Sequence, residues 1–189
     1  MIIQKPFLTD FRHHHAFENC FTKEECEFIS SLAWKWQDGL TTGNLHRDKY
    51  VRDSDVFWLE QKQDIMWIWD RLRAHIEDAN SGIWRFNLEG FHESIQLTRY
   101  TKEGHYDWHT DNGNGYSSFR KLSCVLNLSD SNEYVGGGTS IRVGSKPELL
   151  PHDQGTLNIF PSYVLHKAKR VKEGVRKTLV CWVGGEPYR

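Results

Sequence analysis

The sequence predicts a mainly β fold of the sandwich or jelly-roll kind, with α-helices flanking it. Helical periodicity occurs in the first 90 residues, whereas from Phe91 onward short β-type segments alternate with turns rich in Gly, Asn, Asp and Pro. The 189 residues contain no internal repeat or linker and are enough for one buried core. We therefore expect a single domain, 1–189, with a helical support layer (1–90) and a β core (91–189).

The first helix is predicted over residues 22–38. Thr22 and Glu25 have the spacing of a capping box, in which each residue satisfies a backbone N–H of the other. Apolar residues then recur at helical spacing as far as Trp36, and Gly39 is a residue type that commonly ends a helix.

The second helix is predicted from about Gln61 to Ala79, where apolar residues share one face and Asn80-Ser81-Gly82 ends the run. Residues 37–55 between the helices are polar and predict a long loop. One strand is expected near its end, over residues 50–59.

The β core is predicted to contain seven strands. They are Ser94–Tyr100, Tyr106–His109, Lys121–Leu128, Thr139–Val143, Gly155–Phe160, Val164–Val171 and Val175–Val183. The intervening clusters Gly113-Asn114-Gly115, Gly136-Gly137-Gly138 and Lys172-Glu173-Gly174 have turn chemistry.

Charge and composition exclude several classes of partner. Lys plus Arg number 24 and Asp plus Glu number 25, so no overall field attracts nucleic acid or an anionic membrane. No apolar run is long enough to span a bilayer, and the N-terminus lacks the order of a signal peptide. We expect a soluble, cytoplasmic protein whose four cysteines are reduced and structural.

A candidate metal site begins at His109-Thr110-Asp111. Side chains two apart on an extended segment point to the same side, so the imidazole and the carboxylate can converge. His166 is the candidate third ligand. Two His and one Asp leave about half of an octahedron open, which suits Fe(II) that must also bind a cosubstrate and O2.

Arg176 is the candidate anion clamp beside this metal. If the strands carrying His166 and Arg176 pair without a bulge, strand alternation places six side chains on one face. They are His166, Ala168, Arg176, Thr178, Val180 and Trp182. A guanidinium there could hold the far carboxylate of a dicarboxylate by two charge-assisted hydrogen bonds, which describes 2-oxoglutarate chemistry.

Three segments of the chain resemble the prolyl 4-hydroxylase-like branch of the Fe(II)/2-oxoglutarate dioxygenases. Residues 99–111 resemble the signature R-Y-x-x-x-G-x-Y-x-x-H-x-D, and residues 155–166 resemble G-x-x-x-x-F-P-S-x-x-x-H. Residues 174–178 resemble the closing G-x-R-x-S/T strand. The resemblance covers roughly residues 91–185.

This resemblance implies a double-stranded β-helix, a jelly-roll core of the cupin-like kind. It implies iron bound by His109, Asp111 and His166, which would be the catalytic centre, and 2-oxoglutarate bound by Arg176. Two further residues would line the cosubstrate pocket. In the family, the residue at the position of Tyr100 lines that pocket. An equal alternative is a buried structural tyrosine whose hydroxyl hydrogen-bonds to the backbone. Thr178 either assists the clamp or is an ordinary strand threonine.

The implied reaction is hydroxylation of an unactivated C–H bond with Fe(II), 2-oxoglutarate and O2, releasing succinate and CO2. Ascorbate is a further expected cofactor. The leading substrate is a prolyl residue in a peptide or protein, and a free amino acid or other small metabolite is the alternative. A non-catalytic metal-binding jelly roll is a minor alternative. Several prolyl hydroxylases have lysine where Arg176 stands, so the match favours a microbial or viral subgroup.

Overall fold

The computed structural model describes residues 12–41 and 48–186. Within these ranges the chain forms two α-helices, α1 (Lys23–Ser31) and α2 (Met66–Ala79), and fifteen strands. The strands are β1 (His15–Phe17), β2 (Gln37–Asp38), β3 (Arg52–Asp53), β4 (Asp55–Leu59), β5 (Leu88–Gly90), β6 (Ile95–Tyr100), β7 (His105–His109), β8 (Arg120–Asn127), β9 (Tyr134–Gly136), β10 (Thr139–Arg142), β11 (Glu148–Leu149), β12 (Leu157–Pro161), β13 (Leu165–Ala168), β14 (Val171–Gly174) and β15 (Arg176–Gly185).

The strands form two principal antiparallel sheets. The major sheet has the order β1-β12-β8-β15-β6-β4-β2, with β5 also paired to β15. The minor sheet has the order β11-β10-β13-β7-β3, and β14 and β9 form a separate ribbon. Strands β1 to β5, which precede residue 91, therefore contribute to the two sheets alongside the helices. The mainly β prediction with flanking helices is confirmed.

The major sheet is buried on both faces, and strand alternation assigns each face its own core. In β8, Leu122, Cys124 and Leu126 belong to the hydrophobic cluster that includes the helices α1 and α2. Val125 belongs instead to a smaller cluster with Phe160 and with residues of the minor sheet. Because side chains alternate, Ser123, Val125 and Asn127 of β8 project towards the space between the sheets. The candidate site lies in that space.

Helix α1 begins as predicted but ends earlier. The capping box is present, since Thr22 Oγ1 accepts from the Glu25 N–H at 3.3 Å and Glu25 Oε2 accepts from the Thr22 N–H at 2.9 Å. The prediction that the helix continues to residue 38 is wrong, because Gln37–Asp38 forms strand β2 at the edge of the major sheet. An extended edge strand requires the helix to end beforehand, which it does at Ser31.

Helix α2 confirms the second prediction. A 3-10 turn at Gln63–Ile65 precedes it, and its last turn continues into a π-helical turn at Asn80–Trp84. The apolar face predicted from the sequence is buried. The single strand predicted over 50–59 is two strands, β3 and β4, which belong to different sheets. Residues 42–47 of the predicted loop lie outside the described residues.

Six of the seven predicted core strands occur within a few residues of their predicted bounds. The seventh, Val164–Val171, is divided into β13 and β14, which pair with different partners. Strands β1, β2, β5, β9 and β11 were not predicted, because two or three residues are too few to show alternation.

The predicted pairing between the strands of His166 and Arg176 is wrong. β13 pairs with β10 and β7 in the minor sheet, whereas β15 pairs with β6 and β8 in the major sheet. The predicted turn at Lys172-Glu173-Gly174 is part of strand β14, paired with β9. His166 and Arg176 nevertheless line one cavity, which they reach from opposite sheets.

Two predictions from composition can be compared with the structure. All four cysteines are free thiols, as predicted, and three of them are buried. In the described ranges, no helix combines the length and the apolar character needed to cross a bilayer.

Candidate metal and cosubstrate site

The candidate site is a cavity between the two sheets, which we call the inner cavity. Its walls are Arg52, Gln96, Tyr100, Tyr106, His109, Asp111, Val125, Thr139, His166, Ala168, Arg176, Thr178, Val180 and Trp182. All six residues proposed from the sequence as ligands or clamp residues are among them. The fold therefore brings together side chains that are up to 78 positions apart, from Tyr100 to Thr178.

Three candidate metal ligands converge at one end of the inner cavity. His109 ends strand β7 and lies directly opposite His166 of β13 in the antiparallel ladder. Asp111 follows two residues later, and its N–H donates to the Ser162 carbonyl at 2.9 Å. Nε2 of His109 lies 3.6 Å from Asp111 Oδ1, and Nε2 of His166 lies 3.3 Å from Oδ2. One ligand atom from each residue lies within 4.8 Å of the others.

Both imidazoles are oriented by their other ring nitrogen. His109 Nδ1 lies 2.7 Å from the Asp107 carbonyl oxygen, and His166 Nδ1 lies 2.9 Å from that of Val164. A carbonyl can only accept, so each Nδ1 carries the proton and each Nε2 presents a lone pair to Asp111 when the ring is neutral. Such hydrogen bonds are typical of histidines that bind metal ions.

The protonation states also suit a metal site. Burial lowers the pKa of His109 to about 4, and the charge on His166 adds to this effect. Burial alone would raise the pKa of Asp111, but His166, His109 and a hydrogen bond from Ser123 hold it well below its usual range. For His166, the neighbouring Asp111 outweighs burial and raises the pKa. Near neutral pH, Asp111 is a carboxylate and His109 a neutral imidazole, which are the forms that bind metals.

The donor set of the described residues fits a divalent iron. Two imidazoles and one carboxylate on one side of a cavity are the ligands of non-haem Fe(II) oxygenases, with the remaining positions open for other ligands. Apart from these three residues, the described residues that line the inner cavity offer no carboxylate, thiolate or imidazole.

Arg176 lines the same inner cavity and is 2% exposed. Its Nη2 donates to Asn127 Oδ1 at 3.1 Å and to Thr139 Oγ1 at 3.0 Å. Its Nε is buried without a hydrogen-bond partner in the described structure. A buried guanidinium with neutral partners and an unused N–H suits an anionic ligand, because a buried charge is costly without a counter-charge.

Tyr100 and Thr178 lie beside this arginine. Tyr100 is directly opposite Arg176 in the ladder between β6 and β15, and its ring centroid is 5.6 Å from the guanidinium carbon. Thr178 follows Arg176 by two residues on the same strand face and is 1% exposed. Both residues line the inner cavity, and their roles stay predictions.

Sequence reasoning missed the two side chains that orient Arg176. Asn127 continues the inward-facing series Ser123 and Val125 on β8, so strand alternation alone could have identified it. Thr139 begins β10 in the other sheet, and its approach to Arg176 depends on how the two sheets pack. No sequence signal indicates that contact.

A second cavity adjoins the first, and we call it the outer cavity. It has a volume of about 270 Å³ and shares Arg52, Gln96, Tyr106, Asp111 and Trp182 with the inner cavity. Its remaining walls are Leu40, Thr41, Trp58, Glu93, Thr110 and Arg120.

Comparison with known proteins identifies the family of this site. The family model described as "2OG-Fe(II) oxygenase superfamily" matches residues 95–184. A PKHD-type hydroxylase of Crocosphaera subtropica is 34% identical over 176 residues, which cover 89% of this chain and 77% of the relative. A PKHD-type hydroxylase of a Synechococcus strain is 36% identical over 156 residues, which cover 79% of this chain. This chain spans 66% of the length of that second relative.

The fold is also similar to that of a solved prolyl hydroxylase. The structure from Trichoplax adhaerens, in complex with a hypoxia inducible factor oxygen degradation domain peptide fragment, matches with a TM-score of 0.75. The match covers 94% of this chain and 84% of that chain at 14% identity, so it concerns the fold. Members of the 2OG-Fe(II) oxygenase family use Fe(II), 2-oxoglutarate and O2. The chain belongs to the 2OG-Fe(II) oxygenase superfamily, in its prolyl 4-hydroxylase-like branch.

Proposed function

We propose that this chain is a hydroxylase that uses Fe(II), 2-oxoglutarate and O2 to oxidise an unactivated C–H bond, releasing succinate and CO2. The observation that carries the proposal is the sharing of one cavity by the ligand cluster and Arg176. The cluster alone would suit several metals and several roles. A buried arginine with an unused N–H in the same cavity adds a site for a carboxylate, as 2-oxoglutarate requires.

In this proposal His109 Nε2, His166 Nε2 and the Asp111 carboxylate hold the iron. When bound, the iron and its cosubstrate supply the oxidising chemistry that side chains lack. The chain contributes fixed positions: the carbonyls of Asp107 and Val164 hold the two imidazoles in place. A preformed ligand set of this kind needs little rearrangement to bind metal.

Arg176 holds the far carboxylate of 2-oxoglutarate. Asn127 and Thr139 both accept from Nη2, so the guanidinium plane is fixed before the cosubstrate arrives. The Thr178 hydroxyl lies on the same strand face and assists the clamp. Tyr100 packs below the guanidinium. Val125 and Val180 form the apolar part of the wall, which excludes water from the reacting atoms.

The proposed substrate is a prolyl residue in a peptide or protein. Support comes from the relatives, which are named PKHD-type hydroxylases, and from the outer cavity beside the iron ligands. Trp58 and Trp182 form an aromatic wall there, with ring centroids 6.2 Å apart. A compact apolar ring such as that of proline packs well against aromatic faces.

A free amino acid or other small metabolite is the second candidate. It is favoured by one observation, the buried Arg52 at the junction of the two cavities. The positive charge of that arginine could bind the carboxylate that such a molecule carries.

The proposed function is tested by turnover in air. Purified protein loaded with Fe(II) is supplied with 2-oxoglutarate and a panel of prolyl peptides and free amino acids, with and without ascorbate. Succinate is quantified, and substrate mass is measured for the gain of one oxygen atom. We expect succinate formation stimulated by at least one compound that also gains oxygen. If no panel member accelerates succinate formation or gains oxygen, the substrate assignment is wrong. If metal binds without any 2-oxoglutarate consumption, the non-catalytic alternative is correct.

A further inference from the structure

The three buried arginines of the described chain differ in their partners. Arg120 binds the Glu93 carboxylate through two nitrogens, one of them at 2.6 Å. Arg176 lines the inner cavity, where it is the proposed clamp for the cosubstrate. Arg52, which is 7% exposed, has only neutral partners among the described residues. It donates to Ser54 Oγ at 2.8 Å, to the Leu40 carbonyl at 3.0 Å and to Gln96 Oε1 at 2.9 Å.

The charges of the site leave Arg52 unmatched even after cofactors bind. The charges of Fe(II) and of doubly ionised 2-oxoglutarate cancel each other. Among the side chains, Asp111 balances Arg176, and Glu93 balances Arg120. The positive charge of Arg52, a side chain that is 7% exposed, therefore remains without a counter-charge. Such a charge is costly unless a ligand supplies the missing anion.

Arg52 is well placed to hold a substrate near the iron ligands. It belongs to the walls of both cavities. Its guanidinium carbon lies 4.7 Å from the centroid of the Tyr106 ring. That ring is stacked in turn on His109, with centroids 3.5 Å apart and planes 15° from parallel. The guanidinium of Arg52 is thus separated from a metal ligand by one aromatic ring.

Arg52 also has donors to spare. A guanidinium offers five N–H bonds, and the three hydrogen bonds of Arg52 use three of them. Nη1 and Nη2 each retain one. The neighbouring Trp182 adds an indole N–H that is buried without a partner in the described structure. A wall that presents donors and a positive charge suits an anionic acceptor.

We propose that Arg52 binds a carboxylate of the substrate, so the molecule hydroxylated by this protein carries an acidic group close to the reacting carbon. This inference rests on the proposed hydroxylase function. The outer cavity, at about 270 Å³, lies just below the range typical of ligand pockets and accommodates a group of amino-acid size. The carboxylate belongs either to a free amino acid or to a peptide with an acidic residue or C-terminus at the site.

A purely structural role does not account for the charge. Arg52 does connect Leu40 to strand β6 through Gln96. A neutral donor could make such connections without the cost of burying a cation. Arg120, which also lines the outer cavity, has the Glu93 carboxylate as its counter-charge. Arg52 has no such carboxylate among its hydrogen-bond partners in the described residues.

The test compares ligands that differ only in the carboxylate. One arm uses L-proline and L-prolinamide, and a second uses prolyl peptides with Asp or Asn beside the proline and with free or amidated C-termini. Binding to the metal-free protein is followed by NMR of the indole N–H signals of Trp58 and Trp182, which line the outer cavity. This readout requires neither iron nor turnover.

We expect at least one acid to shift these signals and to bind about 10- to 100-fold more tightly than its amide, the range expected for a charge-assisted contact. The arm in which this occurs identifies the source of the carboxylate. Arg52→Gln should abolish the preference for the acid. Arg142→Gln removes the same charge from an exposed arginine outside both cavities, where it stacks on Trp108, and should retain the preference.

Three results would overturn the inference: no acid in either arm shifts the signals, acid and amide bind equally, or Arg52→Gln keeps the preference. If Arg52→Gln does not fold, Arg52→Lys is measured in its place. Because lysine retains the charge, this variant should show a weaker preference for the acid over the amide, but not lose it. The charge-transfer absorption of Fe(II) with 2-oxoglutarate separates this inference from the proposed function. Its absence in the wild type refutes the hydroxylase proposal, whereas its loss only in Arg52→Gln assigns Arg52 to the cosubstrate.

Discussion

Replacing Asn127 by leucine tests a contact of the Arg176 clamp that the sequence did not predict. Asn127 Oδ1 accepts from Arg176 Nη2 at 3.1 Å, and leucine of similar size cannot accept. Nη2 keeps its second acceptor, Thr139 Oγ1 at 3.0 Å, so the guanidinium loses one of two orienting contacts. A hydrogen bond to a charged group contributes about 1.5–3 kcal/mol. Because Thr139 remains, we expect the low end of this range, which weakens 2-oxoglutarate binding about tenfold.

Asn158 provides a matched control for this substitution. It is buried to a similar degree, and its Nδ2 donates to the Pro151 carbonyl at 2.8 Å, a group that Asn127 Nδ2 also approaches, at 3.3 Å. No hydrogen bond joins Asn158 to Arg176 in the described part of the chain. Asn158→Leu should therefore lower stability, as Asn127→Leu does, while leaving cosubstrate affinity unchanged.

The assay is an anaerobic titration of the Fe(II)-loaded variants with 2-oxoglutarate, together with urea unfolding of each variant. The reasoning is refuted if Asn127→Leu binds the cosubstrate as the wild type does. It is equally refuted if Asn158→Leu loses the same affinity, because general destabilisation would then explain both results.

The remaining predictions concern the clamp, the first helix and the buried thiols. Arg176→Ala removes up to two charge-assisted hydrogen bonds and should weaken 2-oxoglutarate binding by about 100-fold or more while leaving the iron affinity measured by equilibrium dialysis unchanged; an unchanged cosubstrate affinity would place the clamp elsewhere. Thr22→Ala breaks the capping box and should lower the free energy of unfolding by about 1 kcal/mol, measured by urea denaturation; no loss would show that the cap adds nothing to stability. Burial raises the pKa of Cys20 to about 11 and that of Cys26 to about 12. At pH 8 roughly a thousandth or less of either thiol is ionised, so half-buried Cys20 and buried Cys26 should both resist iodoacetamide in the native protein and react after unfolding. Rapid alkylation of the native protein would contradict these raised pKa values.

The sequence predicted the ligand cluster because the relevant geometry is local. His109 and Asp111 are two residues apart, and period-two alternation places them on one side without knowledge of the fold. Helix α1 began where its capping box predicted, for the same reason. Its end was missed, because Gln37–Asp38 is recruited by pairing with Asp55 and Val56 of β4, a contact between distant segments.

The parts of the site that sequence reasoning missed depend on packing between sheets. His166 and Arg176 were expected on paired strands, yet they reach the inner cavity from opposite sheets. Thr139 and Arg52 approach the site by the same kind of long-range packing. Asn127 was the one missed residue that alternation along β8 could have identified.

The central claim is that His109, Asp111 and His166 hold an iron to which 2-oxoglutarate binds. It is tested most directly by adding Fe(II) and 2-oxoglutarate without oxygen and recording the charge-transfer absorption of their complex. His92 serves as the control histidine, since it is 39% exposed and pairs with Glu89 outside the cluster. We predict the absorption for the wild type and for His92→Ala, and none for His109→Ala or His166→Ala. No absorption in the wild type, or undiminished absorption in the two ligand variants, would contradict the account.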